Sequence, residues 1–252
     1  MGKRWKILIA IGLSVAFLDQ WTKLLAIKHL TPGMMLAHAA RTAGDPEASG
    51  RPSAASGFSD RSVSEASAAA QTLRSRPASV DDIGWFESIQ YFYGGVERPC
   101  DGALRSQCPT VTVIDGLWNW RYVENPGAAW GILSTASDGF RVPFFLVVSL
   151  GALVFILGFF RKLDDRQTLL MCALSSVFGG AIGNFIDRLH LSYVIDFIDW
   201  HVGTAHWPTF NVADAGITCG VGLLLIEWVR DWWRARDAKD DDESARATTE
   251  GA

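Results

Sequence analysis

The sequence predicts a membrane protein that is mainly α-helical, with four transmembrane helices, a small β-structure outside the membrane and a long disordered insertion. Three observations lead to this fold class. Of the 252 residues, 49% are hydrophobic and 20% are charged, which favours a membrane protein over a soluble enzyme. The apolar residues are concentrated in four stretches, each close to the roughly 20 residues that a helix needs to cross hydrocarbon. Acidic side chains lie beside these stretches, where keeping a carboxylate ionised is costly.

The four apolar stretches are Ile7–Ile27, Val142–Phe160, Thr168–Ile186 and Val212–Val229. The second contains no charged residue, and Pro143 suits its first helical turn. The first follows a basic N-terminal segment and has the alternative reading of a cleaved signal peptide. Asp19 and Lys23 directly follow its most apolar part, and no small-residue cleavage site closes the run. A retained transmembrane helix is therefore the preferred interpretation.

Basic residues near the ends of the spans predict the orientation, because short loops rich in Lys and Arg stay in the cytoplasm. Three clusters of this kind occur, at residues 3–6, 161–166 and 230–239. Both termini are therefore expected in the cytoplasm, and residues 28–141 and 189–211 are expected outside.

The outside segment after the first span has two parts. Residues 37–82 are rich in Ala, Ser, Gly and Pro and poor in large apolar side chains, so they are predicted to be a disordered linker. Residues 111–123 carry β-rich runs on either side of Asp115 and Gly116, which indicates a hairpin. The segments expected in chain order are a first transmembrane helix (1–30), a largely disordered insertion (31–110), a β-structure (111–139), three further transmembrane helices (140–233) and a charged tail (234–252).

The four cysteines divide between these regions. Cys172 and Cys219 lie within spans and are interpreted as small packing residues. Cys100 and Cys108 lie in the outside segment, where an oxidising compartment would allow a disulfide, and the sequence leaves that pairing open.

Asp196 in VIDF and Asp214 in FNVAD are the strongest candidates for chemistry. Each lies where the chain leaves one span or enters the next, and an irregular connection is expected between them. Two carboxylates a few ångströms apart tend to share one proton, so that one acts as a base on water while the other acts as an acid. The alternative is that both merely solvate helix ends, with Asp214 favouring a helix N-terminus.

Other polar residues are candidates for supporting such a site. Asp19 and Lys23 form an i,i+4 pair, either as mutual neutralisation or as part of a polar pocket. Asn125 begins an Asn-Pro-Gly sequence that is also an ordinary turn. A further polar set shares one helical face and follows a stripe of small residues that allows close helix packing. The polar set is Asn184, Asp187 and Arg188, and the stripe is Ser175, Gly179 and Gly183.

A metal site is the less favoured interpretation of the histidines. His201 and His206 could join the nearby carboxylates of Asp196, Asp199 and Asp214. Their spacing differs from the helical HExxH arrangement of metallopeptidases. The expectation is therefore no metal and no cofactor, and no feature supports nucleic-acid binding.

Five motifs in fixed order resemble those of bacterial lipoprotein signal peptidase, also called signal peptidase II. They are DQWTK (19–23), NPGAAWG (125–131), GGAIGNFIDR (179–188), VIDF (194–197) and PTFNVADAGI (208–217). The resemblance covers the chain except for residues of about 31–110 and the tail. The long insertion, and Pro126 and Trp130 in the second motif, depart from the usual family pattern and affect substrate preference rather than the catalytic pair.

The resemblance implies a membrane aspartyl endopeptidase of the bacterial inner membrane, with a periplasmic β-cradle and its active site at the periplasmic face. It implies cleavage of diacylglyceryl-modified prolipoproteins just before the lipidated cysteine, contact with membrane lipids, inhibition by globomycin-type compounds and a monomeric state. The catalytic pair would be Asp196 and Asp214. The substrate-binding and supporting residues would be Asp19, Lys23, Asn125, Gly127, Asn184, Asp187, Arg188 and Asn211. Arg188 is expected to pair with Asp187 or with a substrate carbonyl.

Three alternatives come from other classes of protein. A proton-coupled transporter would use Asp187, Asp196 and Asp214 as a relay, but four spans are few for one and the acids cluster at one face. A membrane metallopeptidase would require the histidines as ligands. A non-enzymatic scaffold would leave the polar motifs costly without a function.

Overall fold

The computed structural model describes residues 2–31, 83–94, 110–127, 133 and 135–250. The linker predicted at 37–82 lies outside these residues, as do Cys100, Cys108 and the second half of the NPGAAWG motif. Cys172 and Cys219 lie within helices and are free thiols.

The described residues form five helices and four strands. The helices are α1 (Lys3–Leu30), α2 (Trp85–Gly94), α3 (Asp138–Phe160), α4 (Thr168–Leu191) and α5 (Val212–Glu250). The strands are β1 (Thr110–Ile114), β2 (Trp118–Asn125), β3 (Val194–Val202) and β4 (Ala205–His206). Helices α1, α3, α4 and α5 are long and apolar enough to cross a membrane. This confirms the predicted fold class of four membrane helices with a small β-structure.

Helix α5 continues through the segment that was expected to be a separate charged tail. Its apolar part gives way to side chains that pair three residues apart along the helix. Arg230 lies 3.3 Å from Glu227, and Arg234 lies 3.2 Å from Asp231. Such pairs stabilise a solvated helix by roughly 0.2–0.5 kcal/mol each, so α5 extends into the charged tail predicted at residues 234–252.

The chain divides into two compact units. Unit 1 contains Met1–Phe17, Val148–Gly183 and Val212–Ala252. Its apolar core combines side chains of α1, α3 and α4 with the short loop between the last two helices. The buried members are Leu8, Ile156, Phe160, Leu163, Met171 and Leu174.

Glycines allow the helices of unit 1 to approach closely. A Cβ on Gly179 would collide with the backbone oxygen of Gly12 on α1, and a Cβ on Gly180 would collide with that of Ala213 on α5. A Cβ on Gly220 would lie 2.7 Å from the backbone oxygen of Ala173. Contact positions rise along α5 as they fall along α4, so these two helices are antiparallel. The predicted role of Gly179 in close helix packing is confirmed.

Two of the basic clusters meet at one end of unit 1. Lys3 donates to the backbone oxygen of Asp165 at 3.1 Å and to the hydroxyl of Thr168 at 3.0 Å. Arg4 donates to the backbone oxygens of Arg161 at 2.9 Å and Leu163 at 3.1 Å. The start of α1 and the α3–α4 loop therefore share one end of this unit.

Unit 2 contains Leu18–Val147 and Asn184–Asn211. It holds an antiparallel sheet with the strand order β1-β2-β3-β4. Strand β3 lies between two others and contributes VIDFIDWHV, which is rich in the β-branched and aromatic residues that strands favour. The irregular connection expected around Asp196 is therefore wrong, because this segment pairs with β2 and β4.

The turn between β1 and β2 agrees with the predicted hairpin. The amide of Leu117 donates to the backbone oxygen of Ile114 at 3.1 Å, which leaves Asp115 and Gly116 at the centre of the turn. Gly116 has a φ of 71°, a conformation that glycine adopts without steric cost. Pairing resumes between Ile114 and Trp118.

Helix α2 is anchored to the second half of α1. The ring of Trp85 stacks on that of Trp21 with centroids 4.9 Å apart. Lys28 lies 4.6 Å from the centre of the Trp85 ring and donates to the backbone oxygen of Ile83 at 2.9 Å. These contacts hold the short aromatic helix α2 against α1.

Candidate active site

Asp196 lies in the middle of β3 and is 2% exposed. Its neighbours Ile195 and Phe197 are also buried. Each of its carboxylate oxygens accepts a hydrogen bond from a side-chain amide. Asn125 donates to Oδ2 at 2.9 Å, and Asn211 donates to Oδ1 at 2.7 Å. Amide donors on both oxygens complement the anion of a buried carboxylate.

The position and orientation of Asn125 follow from the end of β2. Asn125 is the last residue of that strand and pairs with Val194 on β3. Its side-chain oxygen accepts the backbone amide of Gly127 at 3.1 Å. The oxygen is thereby occupied within the turn, so the amide nitrogen is directed at Asp196.

Asn211 reaches Asp196 because the chain before it returns to β3. Phe210 and Ile198 exchange backbone hydrogen bonds at 3.1 and 2.9 Å, which adds a bridge beside the strand. Asn211 is fully buried, and its amide also lies 3.2 Å from the backbone oxygen of Ile195 and from Oδ1 of Asn184. The sequence-predicted residues Asn184, Asp196 and Asn211 are therefore brought together.

A second cluster places one cation between two anions. Lys23 is 0% exposed and lies 2.7 Å from Asp19 and 2.8 Å from Asp187. It also donates to Oδ1 of Asn184 at 3.2 Å, the same oxygen that accepts from Asn211. Asp19 and Lys23 were predicted either to neutralise each other or to form part of a polar pocket, and the two interpretations are compatible. The ammonium group of Lys23 balances the carboxylates and also contacts the amide of Asn184.

Asp187 connects this cluster to β3. Its Oδ2 accepts the backbone amide of Ile195 at 3.1 Å, and its Oδ1 accepts the side-chain amide of Gln20 at 2.8 Å. The charge cluster is consequently bonded to the residue directly before Asp196.

Arg188 has different partners from those the sequence suggested. Its guanidinium donates to the backbone oxygen of Gly127 at 3.1 Å and lies 4.7 Å from the centre of the Phe145 ring. The expected pairing with Asp187 is wrong, since Asp187 binds Lys23. Consecutive helical residues point in directions about 100° apart, so these two side chains serve different partners.

Asp214 belongs to unit 1, where it lies in the first turn of α5 and is partly buried. Ala213 beside it is fully buried, with its backbone oxygen against Gly180. A carboxylate in the first turn is favoured by the partial positive charge of a helix N-terminus. Asp214 follows Asn211 by three residues in the chain.

Of the acids and histidines considered for a metal site, the structure brings together Asp199, His201 and His206. Nδ1 of His206 lies 2.9 Å from Oδ1 of Asp199, and Asn119 donates to Oδ2 at 3.2 Å. Burial acts to raise the pKa of the Asp199 carboxyl. The hydrogen bonds from His206 and Asn119, with the nearby charges of His206 and Arg121, outweigh burial and hold that pKa below its usual value.

Residues that the sequence analysis missed extend the network outwards. Gln20 bonds Asp187 and also accepts the hydroxyl of Tyr93 on α2 at 3.2 Å. Gln20 is a polar residue within an apolar span, next to Asp19, and that position was a usable signal. Tyr93 gave no comparable signal, because its segment resembles a generic amphipathic surface helix.

Tyr122 forms a separate buried contact on β2. Its hydroxyl oxygen lies 3.5 Å from the hydroxyl oxygen of Tyr193 and 3.5 Å from a carboxylate oxygen of Glu124. Burial first, and then the charges of Tyr193 and Glu124, raise the pKa of Tyr122 well above its usual value. A strongly raised pKa keeps this phenol protonated, so it remains a hydrogen-bond donor.

The fold defines a class of protein, a four-helix membrane protein with a small antiparallel sheet, and the site adds a buried aspartate that two side-chain amides bond. The family model for signal peptidase (SPase) II matches residues 101–230. The lipoprotein signal peptidase of Anaeromyxobacter sp. (strain Fw109-5) is 36% identical over 251 residues, covering 98% of this chain and 96% of that protein. The chain therefore belongs to the signal peptidase II family.

Other relatives match about half of the chain. The lipoprotein signal peptidase of Geobacter sulfurreducens is 48% identical over 122 residues, covering 48% of this chain and 75% of that protein. A solved structure of a bacterial membrane enzyme, determined by the in meso method at 2.3 Å, is 37% identical. It covers 49% of this chain and 72% of its own, with a TM-score of 0.44.

Proposed function

We propose that Asp196 and Asp214 form the catalytic dyad of a lipoprotein signal peptidase that cleaves diacylglyceryl-modified prolipoproteins just before the lipidated cysteine. The chain is a membrane peptidase of the aspartic type by its family. The observation that carries the assignment of Asp196 is its burial between two amide donors, one on each oxygen. Asp214 is its proposed partner because it lies in the first turn of α5, three residues after Asn211, whose amide bonds Asp196.

The proposed reaction is metal-independent hydrolysis of one peptide bond. Asp196, as the anion, removes a proton from water, and the water oxygen attacks the carbonyl carbon. The carboxylic acid of Asp214 donates its proton to the carbonyl oxygen. When the tetrahedral intermediate collapses, the C–N bond breaks and the amine of the cysteine takes the proton that Asp196 received. As the carbonyl re-forms, one hydroxyl of the intermediate returns a proton to Asp214. Asn125 and Asn211 keep both oxygens of Asp196 oriented through these steps.

The supporting residues have separate proposed roles. Asp19, Lys23 and Asp187 form a buried charge cluster that fixes β3 through the amide of Ile195. Asn184 connects that cluster to Asn211. Arg188 holds the backbone at Gly127, and we assign these two residues to positioning the substrate.

The proposed orientation places both termini in the cytoplasm of a bacterium and the site at the periplasmic face of the inner membrane. Its support is electrostatic and geometric. The basic start of α1 contacts the basic α3–α4 loop, and α5 runs antiparallel to α4 towards its own basic segment. We further propose that the enzyme acts as a monomer in contact with membrane lipids, and that globomycin-type compounds inhibit it.

The dyad is tested with purified enzyme in detergent and a peptide that carries a diacylglyceryl cysteine. Asp196→Asn and Asp214→Asn should each reduce cleavage by at least 1,000-fold, because removal of a catalytic group commonly costs that much. Asp115→Asn is the matched control: it neutralises an exposed aspartate in the hairpin turn of the same sheet, and Asn-Gly is equally suited to that turn. Near wild-type cleavage by either dyad variant would refute the assignment, provided that the control is also active.

A further inference from the structure

Strands β3 and β4 bring three side chains with metal-ligand atoms to one face of the sheet. Asp199 and His201 are two residues apart on β3 and so point to the same side. His201 pairs directly with His206 across the two strands. The imidazole rings stack with centroids 4.8 Å apart and an interplanar angle of 16°. The potential ligand atoms of all three residues lie within 4.8 Å of one another.

The surroundings of these residues resemble those of a built metal site. Asn119 pairs with Asp199 across β2 and β3, donates to its Oδ2 at 3.2 Å and lies 3.4 Å from Nδ1 of His201. A donor to one oxygen of a ligating carboxylate orients that ligand, and such contacts are worth roughly tenfold to 100-fold in affinity. For His201 to act as a ligand, the Asn119 amide nitrogen has to leave Nδ1 or the imidazole has to bind the ion through Nδ1 itself.

An ion has a route to the cluster. His201 and His206 line an open groove of about 590 Å³ beside the aromatic rings of Trp118, Trp200 and Trp207. The His206 side chain is 46% exposed, whereas Asp199 is buried. The buried carboxylate of Asp199 attracts a cation, and the accessible imidazoles let the cation enter from the groove.

We propose that Asp199, His201 and His206 bind a divalent first-row transition metal ion, with zinc as the reference ion. Carboxylate oxygens alone suit magnesium or calcium, but the two imidazole ligands favour ions such as zinc, nickel and copper. Three protein ligands leave one tetrahedral position for water. The ion connects β3 to β4 and is separate from the carboxylates proposed for hydrolysis.

The geometry requires a rearrangement of the cluster, because its candidate ligand atoms lie up to 4.8 Å apart and the wider pairs must close on the ion while the tightest pair opens. Zinc bonds of about 2.0–2.1 Å at tetrahedral angles separate neighbouring ligand atoms by roughly 3.3 Å. Asp199 and His206 approach to 2.9 Å. The exposed imidazole of His206 can move by these few tenths of an ångström, and the ion replaces the hydrogen bond between the two groups.

A simple ion pair between His206 and Asp199 is the competing account, and it differs in one respect. An ion pair between His206 and Asp199 does not involve His201, whereas a metal site loses a ligand when His201 is removed. His201→Ala therefore separates the two accounts. His29→Ala is the matched control, because His29 is an exposed histidine at the end of α1.

The experiment uses the full chain without an affinity tag, stripped of metal and held in detergent. Zn²⁺ is titrated by calorimetry, and Co²⁺ by visible absorption, which reports the coordination geometry. We expect one ion per chain with tetrahedral cobalt bands for the wild type and for His29→Ala. His201→Ala and His206→Ala should each weaken binding by at least tenfold, and Asn119→Ala should weaken it less. Zn²⁺ should raise the unfolding midpoint of the wild type, since an ion that binds the native state stabilises it, and should not raise that of His206→Ala.

Two results would overturn the metal site. One is the absence of stoichiometric Zn²⁺ binding by the wild type. The other is equal affinity in the wild type, His201→Ala and His206→Ala. Circular dichroism of each variant shows whether a loss of binding reflects loss of fold, and a misfolded His206→Ala would leave the His201→Ala and Asn119→Ala titrations to decide.

Discussion

Asn211 donates its side-chain amide to Asp196 across 2.7 Å, and the same amide lies 3.2 Å from Oδ1 of Asn184, which also accepts from Lys23. One neutral side chain therefore lies between the proposed catalytic carboxylate and the buried charge cluster. It is well placed to keep Asp196 fixed without adding a second charge.

Replacement of Asn211 by Ala should slow catalysis more than it weakens substrate binding. The change removes a hydrogen bond to a charged group, which is worth about 1.5–3 kcal/mol and corresponds to a roughly 10- to 100-fold loss in kcat. The measurement is kcat and KM on the lipidated peptide. Gln167→Ala serves as control, since it removes an exposed side-chain amide from the α3–α4 loop. An unchanged kcat for Asn211→Ala would show that Asp196 does not need this donor.

Replacement of Lys23 by Met should strongly destabilise the protein. Asp19 and Asp187 would then face each other in a buried site without their shared cation, and breaking a buried ion pair costs about 3–5 kcal/mol. We expect a large fall in the thermal unfolding midpoint in detergent. The double variant Lys23→Met/Asp187→Asn removes one anion with the cation and should recover part of the loss. A double variant no more stable than the single one would contradict this account.

The sequence predicted the membrane helices and the motif residues, but not the way in which the sheet holds them. Apolar stretches of membrane length determine α1, α3, α4 and α5 by themselves, because the bilayer imposes that length. Strand β3 was missed because apolar and polar residues do not alternate in VIDFIDW: Asp196 and Asp199 are three residues apart and lie on opposite faces. The partner of Asp187 was also missed: Lys23 lies more than 160 positions earlier, and local spacing cannot rank it above the adjacent Arg188.

Addition of a single methyl group at Gly180 should impair both stability and cleavage. The Cβ of Ala would collide with the backbone oxygen of Ala213, so the first turn of α5, which carries Asp214, would have to move. Overpacking of this kind costs about 1–3 kcal/mol. Gly158→Ala is the matched control, because that helical glycine of the same unit has open space around its Cβ position. Equal unfolding midpoints and cleavage rates for the two variants would show that the close approach of α4 and α5 is not required.

Tyr122 should give the enzyme a loss of stability at high pH. Burial and the charges of Tyr193 and Glu124 raise the pKa of Tyr122 in the folded state, so its contribution is complete below the unfolded value of about 10 and is lost as the pH rises through the folded value. The unfolding midpoint of the wild type should therefore fall more steeply above about pH 10 than that of Tyr122→Phe. Midpoints measured from about pH 8 to 11.5 test this. Parallel curves for the two proteins would contradict it.

Cleavage should depend on the lipid of the substrate. The acyl chains can remain in the hydrocarbon while the peptide lies at the membrane surface. Partition of the substrate into the membrane therefore holds the scissile bond close to the proposed dyad. A matched peptide without the diacylglyceryl group should lose kcat as well as apparent affinity, because binding energy from remote groups is used to position the reacting bond. The measurement is kcat and KM for both peptides at equal detergent concentration, and globomycin should inhibit cleavage of the lipidated one.

Arg188 provides the internal check on that lipid dependence. Its guanidinium bonds the backbone of Gly127 and lies over Phe145, so Arg188→Lys keeps the charge but loses the planar contact, and Arg188→Ala loses both. We expect cleavage of the lipidated peptide to fall by roughly 10-fold or more in Arg188→Lys and further in Arg188→Ala, since a buried charge-assisted hydrogen bond is worth about 1.5–3 kcal/mol. Cleavage of the peptide without the diacylglyceryl group should fall by a smaller factor in both variants, because that peptide is already poorly positioned in the wild type. Equal rates for lipidated and bare peptides in the wild type would refute recognition through the lipid, even with the aspartyl dyad intact.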